Sequence, residues 1–140
     1  MRRVTRADGA LATAMWDNTG RNELMNTFWS AAVALDPGVK REDLRPGTFG
    51  SAKALSDLWA ATGLRSIETK ELSIDCGFSS FDDYWSPRAA EGPTAAYIRT
   101  LPQARKELLQ ERLRNDIFGN RADGSFTLNA KAWAVRGIVP

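Results

Sequence analysis

The sequence predicts an α/β fold, on the evidence of three stretches. Residues 49–78 (FGSAKALSDLWAATGLRSIETKELSIDCGF) contain a helix pattern that leads through Gly63 and Leu64 into a long strand pattern. Ala10–Trp16 is a nearly continuous apolar run of strand length, and residues 126–139 again have strand character. A helix that feeds a strand through a Gly-Leu turn is half of an α/β repeat. We therefore expect helices packed against a small sheet.

The helix predicted from Ser51 to Thr62 has defined ends. Ser51 offers a side-chain oxygen that can cap the free N–H groups of the first turn. Leu55, Leu58 and Trp59 share one face at helical spacing, so we expect Leu58 and Trp59 to face the sheet.

In the strand that follows this helix, the apolar residues change phase. Ile67 alternates with polar neighbours, whereas Leu72, Ile74 and Cys76 alternate in the opposite phase. Such a change predicts a bulge or bend inside one strand. Cys76, which lies at an apolar strand position, is interpreted as a small packing residue rather than a nucleophile.

The run Ala10–Trp16 is typical of a strand covered on both faces, as in a parallel sheet beneath helices. Asp17 follows it directly. Polar residues after a buried strand are where α/β folds place ligand-contacting side chains, so Asp17 is the best single polar candidate for a site. The alternative is that Asp17 is a simple turn aspartate.

Helices and loops alternate through the middle of the chain. Residues 22–35 have a helix pattern, and residues 40–50 are predicted to form a loop with Phe49 as its large apolar residue. Ser80 begins a short helix that Pro87 is expected to stop within two turns.

Two more helices and a strand complete the pattern. Pro93 opens a brief helical segment, and Pro102 occupies the first position of a longer helix. Residues 126–139 are predicted as a strand in two pieces, divided around Asn129 and Lys131. Since no repeat or linker interrupts this order, we expect a single domain over residues 1–140.

Composition excludes several classes of function. Lys and Arg number 19 against 17 for Asp and Glu, a net charge of +2, which argues against nucleic acid or an anionic membrane as the main partner. The sequence has no histidine, which removes Ser-His and Cys-His nucleophile systems and most zinc sites. A single cysteine and no long apolar run fit a cytoplasmic protein.

Four strings in the sequence carry a family likeness. They are residues 1–16, 49–64, 80–85 (SFDDYW), and 123–126 together with 132–137 (DGSF and AWAVRG). In this order they resemble the C-terminal half of a class I S-adenosylmethionine-dependent methyltransferase, of the small-molecule, ubiquinone/menaquinone-biosynthesis-like branch. The first string departs from the family pattern, since its turn before the strand is RADG and lacks the usual proline and one glycine.

The resemblance implies a partial Rossmann-like methyltransferase fold. This fold would be a three-stranded mixed sheet from the C-terminal half, flanked by helices and a short helical lid. Ala10–Trp16 would lie between the closing antiparallel strand and a strand that the sequence lacks. The family holds its cofactor with a Gly-rich turn, and none occurs here. We therefore do not expect S-adenosylmethionine to bind this chain alone, and we expect a cofactor-binding half to be missing through truncation or to lie on another chain.

The resemblance also implies a pocket for a small-molecule acceptor with aromatic walls. The candidate substrate-binding residues are Trp16, Asp17, Trp29, Phe49, Phe81, Tyr84 and Trp85. The alternative is that most of these aromatic residues belong to the core. No catalytic residue and no metal site is assigned, since Asp82 and Asp83 are interpreted as charges at a helix start.

The predicted partners follow from the strand that the sequence lacks. Because one edge of Ala10–Trp16 would have no neighbour, we expect self-association or pairing with a cofactor-binding chain. The function classes left open are a methyltransferase half, a non-catalytic binding or dimerisation module, and a purely structural domain.

Overall fold

A computed structural model describes residues 2–38 and 49–140 of the chain. The strands are β1 (Ala10–Trp16), β2 (Arg65–Phe78) and β3 (Phe126–Ile138). The helices are α1 (Glu23–Leu35), α2 (Ala52–Ala61), α3 (Phe81–Ala90), α4 (Gly92–Thr100) and α5 (Gln103–Phe118). The predicted α/β composition is confirmed, whereas most of the loop predicted at residues 40–50 lies outside the described residues.

The three strands form one sheet in the order β1-β3-β2. β1 pairs antiparallel with β3, from Ala10 opposite Ile138 to Trp16 opposite Ala132. This confirms that β1 neighbours the closing antiparallel strand. The expected mixed sheet is wrong, because β3 lies between β1 and β2 and runs antiparallel to each neighbour.

β1 is less buried than predicted, although its bounds are as expected. Leu11 and Thr13 are half-buried, and the other residues of the strand are exposed, with Trp16 48% exposed. Coverage on both faces was therefore a wrong prediction. The reason is that β1 is an edge strand of the described sheet and contributes only Leu11 to a hydrophobic cluster.

The chain divides into two compact units. Of the described residues, unit 1 contains 2–22, 49–74 and 130–140, and unit 2 contains 23–38 and 75–129. Each unit has its own hydrophobic core. The single domain expected over residues 1–140 stays a prediction.

The core of unit 1 is built from α2 and strand residues. Ser51 caps α2 as predicted, since its Oγ accepts the N–H of Ala54 at 3.2 Å. Leu55 and Trp59 are buried. Leu58 is 38% exposed, so the prediction that it faces the sheet is wrong. Its position three residues after Leu55 places it at the margin of the apolar stripe.

Along β2 the half-buried residues change from odd-numbered to even-numbered positions, as a change of phase predicts. Two of the residues in the predicted second phase are nevertheless exposed. Ile67 and Glu71 are half-buried in one phase, and Cys76 and Phe78 in the other. Leu72 and Ile74 were expected to point inward and are exposed instead. The phase changes where β2 passes from unit 1 to unit 2, after Ile74.

The core of unit 2 is formed by residues of α1, α3, α4 and α5. Its fully buried members include Phe28, Trp29, Phe81, Leu109 and Leu113. Leu109 and Leu113 lie four residues apart on α5 and share its buried face.

Helix α3 continues to Ala90 through Pro87, so the early stop predicted at this proline is wrong. A proline removes its own N–H but does not prevent later residues from adopting helical angles. Here Glu91 N–H donates to the Pro87 carbonyl at 3.2 Å. The Arg88 guanidinium adds a hydrogen bond to the Tyr84 carbonyl at 2.7 Å in the turn that the proline disturbs.

β3 is one continuous strand rather than the two pieces predicted. Both residues expected to divide it bond to β2. Asn129 Nδ2 donates to Asp75 at 2.8 Å, and Lys131 Nζ contacts Glu71 at 3.1 Å. Polar residues in β3 therefore add cross-strand bonds.

Replacing Trp59 by alanine is expected to cost about 3–5 kcal/mol of unfolding free energy, because it removes a buried indole from the core of unit 1. Leu58→Ala should cost about 1 kcal/mol or less, since that side chain is partly solvated. Urea unfolding followed by circular dichroism measures both. Lys53→Ala, on the exposed side of α2, serves as the control, and equal losses for Trp59 and Lys53 would contradict the assigned helix face.

Candidate functional site

The predicted site residues are divided between the two units. Unit 1 contains Trp16, Asp17 and Phe49, and unit 2 contains Trp29, Phe81, Tyr84 and Trp85.

Asp17 is fully buried at the end of β1, where its carboxylate accepts four hydrogen bonds. Oδ1 accepts from Thr19 N at 2.7 Å and from Thr19 Oγ1 at 2.6 Å. Oδ2 accepts from Arg21 Nη2 at 2.9 Å and from Trp133 Nε1 at 3.0 Å. Two oxygens offer about four acceptor positions, and all are used. The bond to Thr19 N makes an Asx turn, which favours the turn-aspartate alternative.

A network of opposite charges continues from Asp17. Arg21 Nη2 also contacts Glu71 Oε2 at 2.8 Å, and Glu71 Oε1 contacts Lys131 Nζ at 3.1 Å. Asp17, Arg21, Glu71 and Lys131 therefore alternate in sign and balance one another. We call these four residues the charge network. Trp133 lies beside it, with the Arg21 guanidinium 5.4 Å from the centre of the indole.

The network shifts the pKa values of its carboxyl groups downward. Burial by itself raises the pKa of Asp17, but hydrogen bonds from Thr19, Arg21 and Trp133 outweigh it and lower the pKa below 3.8. The hydrogen bond from Lys131 is the main cause that lowers the pKa of Glu71, with Arg21 adding to it. Both carboxyl groups are therefore ionised and paired at neutral pH, which is unsuitable for a general base.

Sequence reasoning found Asp17 but missed its partners. Arg21 lies four residues after Asp17, a spacing that could have suggested the pair. Trp133 meets Asp17, Glu71 meets Arg21, and Lys131 meets Glu71 only through the pairing of the strands, which no local pattern encodes. An acidic residue at a strand end thus predicts a polar cluster, but it does not predict which other residues belong to that cluster.

Trp16 and Phe49 are the exposed members of the predicted set. Trp16 is 48% and Phe49 39% exposed. The Asn18 N–H donates to the Gly50 carbonyl at 3.0 Å, which holds the residues before α2 beside the end of β1. A Cβ on Gly50 would lie 2.4 Å from the Asn18 Cβ, so this approach requires glycine.

The four predicted residues of unit 2 belong to its aromatic core. Trp29, Phe81 and Tyr84 are buried, and Trp85 stacks on Phe81 with ring centres 6.2 Å apart. Tyr84 Oη is buried and has no hydrogen-bond partner among the described residues. Burial raises the pKa of Tyr84 to about 12, so its phenol stays neutral. Their positions fit the core alternative, and their contact with an acceptor stays a prediction.

Unit 2 also contains a cavity of about 310 Å³. Its walls are Leu35, Asp36, Tyr97, Thr100, Leu101, Pro102, Arg105 and Leu109, none of which was a sequence candidate. Arg105 Nη1 donates to the Leu35 carbonyl at 3.0 Å, across the end of α1. The Trp29 ring packs against Tyr97 with centres 5.7 Å apart, so one predicted residue supports the cavity wall from behind. Burial, followed by the charge of Asp36, raises the pKa of Tyr97.

Two further classes of site have no counterpart in residues 2–38 and 49–140. This part of the chain has no group of three acidic or cysteine side chains placed to hold a metal ion. None of its helices has both the length and the apolar character needed to cross a bilayer.

Asp17→Asn is expected to lower the unfolding free energy at neutral pH by about 2–4 kcal/mol, since it breaks the pairing of a buried carboxylate. Because folding depresses the pKa of Asp17, its stabilisation is present above the unfolded pKa and is lost as the pH falls through the folded one. The variant should therefore lose less stability than the native chain between about pH 5 and pH 2.

Unfolding in urea across this pH range measures the effect. Asp116→Asn is the matched control, because Asp116 pairs with Arg112 at 2.9 Å on the surface of α5. That control should change stability by about 1 kcal/mol or less. Equal effects of the two variants would contradict the structural role of the Asp17 carboxylate.

No family model matches the chain, and no curated protein matches its sequence. In structure the chain is similar to a protein from Bacillus halodurans named as a "putative methyltransferase", with 12% sequence identity and a TM-score of 0.41. The alignment covers 99% of this chain and 55% of that protein, so the chain spans about half of its length. A likeness this distant does not assign the chain to a family.

Proposed function

We propose that this chain is the acceptor-side half of an S-adenosylmethionine-dependent methyltransferase-like protein that acts on a small molecule. The observation that carries the proposal is the sheet, in which β1 lies antiparallel beside β3 and β2 lies on the other side of β3. The sequence resemblance implied that β1 neighbours a closing antiparallel strand. Strand order depends on long-range pairing, so it supports the proposal independently of the local strings.

The cavity of unit 2 is the acceptor site in this proposal. Its volume of about 310 Å³ is at the lower end of the range of about 300–1,000 Å³ for small-molecule pockets. Leucine side chains supply apolar walls, while Tyr97, Asp36 and Arg105 supply polar groups that can orient a ligand. Methyl transfer from a sulfonium is an in-line displacement that needs alignment and a dry pocket more than a set of acids and bases. The lack of histidine is compatible with that chemistry.

The residues of this chain do not fit the cofactor. The family grips the cofactor's ribose with a carboxylate at the end of its second strand, whereas the resemblance makes β1 the fifth strand. The carboxylate that does end β1, Asp17, has all its acceptor positions occupied by protein donors. The Gly-rich turn is also absent from the sequence. We propose that cofactor contacts come from residues outside this sequence, in a cytoplasmic assembly.

A non-catalytic binding or dimerisation module is the second candidate function. It is favoured by the same carboxylate, because the charge network stabilises the fold without leaving a group for chemistry. Such a module would also bind a small molecule in unit 2 and no cofactor, so the candidates differ in whether methyl transfer occurs once a cofactor-binding chain is added.

The chain alone is expected to show no measurable binding of S-adenosylmethionine or its demethylated product, because the residues that fit the cofactor are absent. Calorimetric titration of the purified chain measures this. A micromolar dissociation constant would contradict the assignment of cofactor contacts to residues outside the sequence.

A panel of small aromatic molecules, phenols and quinols among them, is expected to contain ligands that raise the melting temperature of the chain, since the proposal places a small-molecule acceptor in this cavity. Thr100→Trp places an indole at the cavity wall and should abolish the shift. Ala96→Trp is the matched control, because Ala96 is exposed on the same helix and does not line the cavity. Shifts that survive Thr100→Trp would place the acceptor elsewhere.

A further inference from the structure

β1 has one edge that no described strand pairs with, and its backbone geometry identifies the groups on that edge. Asp17 N–H donates to the Lys131 carbonyl, and the Gly9 carbonyl accepts from Val139 N–H, each at 2.9 Å. In the β1–β3 register, odd-numbered residues of β1 are therefore bonded to β3. Alternate residues of an antiparallel ladder direct both backbone groups to the opposite side. The outward-facing residues are Ala10, Ala12, Ala14 and Trp16.

The two outer strands of this sheet differ sharply in charge. β2 has five charged residues among its fourteen, namely Arg65, Glu68, Lys70, Glu71 and Asp75. β1 has none among its seven, and it has no proline. Charged side chains and prolines are the usual protection of an edge strand against pairing. Within one sheet, then, β2 has this protection and β1 lacks it.

β1 also exposes large apolar side chains at its C-terminal end. Met15 is 39% and Trp16 48% exposed, whereas the rest of the strand is alanine, threonine and a half-buried leucine. Three of the four outward positions, Ala10, Ala12 and Ala14, are small and neutral, so their side chains do not hinder pairing with another strand.

We infer that the edge of β1 pairs with β1 of a second copy of this chain, antiparallel about a two-fold axis at Thr13. In this register Ala12 lies opposite Ala14, Leu11 opposite Met15, and Ala10 opposite Trp16. The outward residues form the hydrogen-bonded pairs, and each Thr13 faces its counterpart in the closer, non-hydrogen-bonded pair. Threonine pairs at such positions stabilise sheets.

A second copy suits this edge because the strand is complementary to itself. Small residues meet small ones at the centre, and the large residues lie towards the two ends. The acidic residues that flank the strand do not meet each other, since Asp17 falls opposite Gly9. The pairing ends at Trp16, because the next outward N–H, that of Asn18, already donates to the Gly50 carbonyl. A two-fold dimer is also a closed assembly. It occupies the β1 edge of each copy, so this contact cannot continue into a fibre.

Light scattering after size exclusion tests the inference on the full chain. The expected result is a dimer at about 100 μM that dissociates on dilution. A folded monomer at that concentration, or a series of larger species, would overturn it. The outcome does not depend on the proposed function, because no cofactor or acceptor takes part.

Two variants locate the interface. Ala12→Pro removes an outward N–H and leaves the bonds to β3 in place, and Ala12→Lys adds a charge at the same outward position. Each should raise the dimer dissociation constant at least about tenfold. Leu72→Lys, which adds the same charge on exposed β2, is the matched control and should leave the dimer unchanged. An Ala12→Lys dimer as stable as the native one would overturn the assigned edge.

Hydrogen exchange gives a second readout that a dimer formed elsewhere would not reproduce. The Thr13 amide faces β3 and should be protected at any concentration. The Ala12 and Ala14 amides should gain protection only as the dimer forms. Exchange at Ala12 and Ala14 that is the same in dilute and concentrated samples would contradict β1 pairing.

Discussion

The sheet of unit 1 depends on how one buried carboxylate is satisfied. A buried charge without partners is strongly unfavourable, so Asp17 requires several donors around it. Trp133 supplies one from β3, Thr19 supplies two from the turn after β1, and Arg21 supplies another. Arg21 in turn reaches Glu71 of β2. One carboxylate thus connects all three strands at the same end of the sheet.

This use of Asp17 has a consequence for function. A carboxylate that serves as a ligand contact or a base needs a free acceptor position, and a depressed pKa makes proton transfer at neutral pH inefficient. Asp17 has no free acceptor position, and its pKa is depressed. The polar cluster most like an active site is therefore occupied in stabilising the sheet. The proposed acceptor site lies instead where polar groups and empty space coincide, in the cavity beside Tyr97 and Arg105.

Features encoded within a few residues were predicted well. The Ser51 cap of α2 and the positive φ of Gly63 rely on local backbone chemistry, and both are present. The bounds of β1 follow from an apolar run that Gly9 precedes and Asp17 ends. The charge network could not be predicted, because Glu71 and Lys131 are 60 residues apart and meet only through strand pairing. Pro87 shows the limit of a local rule, since the helix continues around it.

Exposure was harder to predict than secondary structure, and β2 explains why. A strand in a single environment presents one side to a core along its whole length, so one alternation pattern describes it. β2 instead contributes Ile67 to the core of unit 1 and Phe78 to that of unit 2. Leu72 and Ile74 lie between those contributions and are exposed, although their spacing matches that of Cys76. Apolar alternation identified a strand there, but the change from one core to the next decided which of its residues are buried.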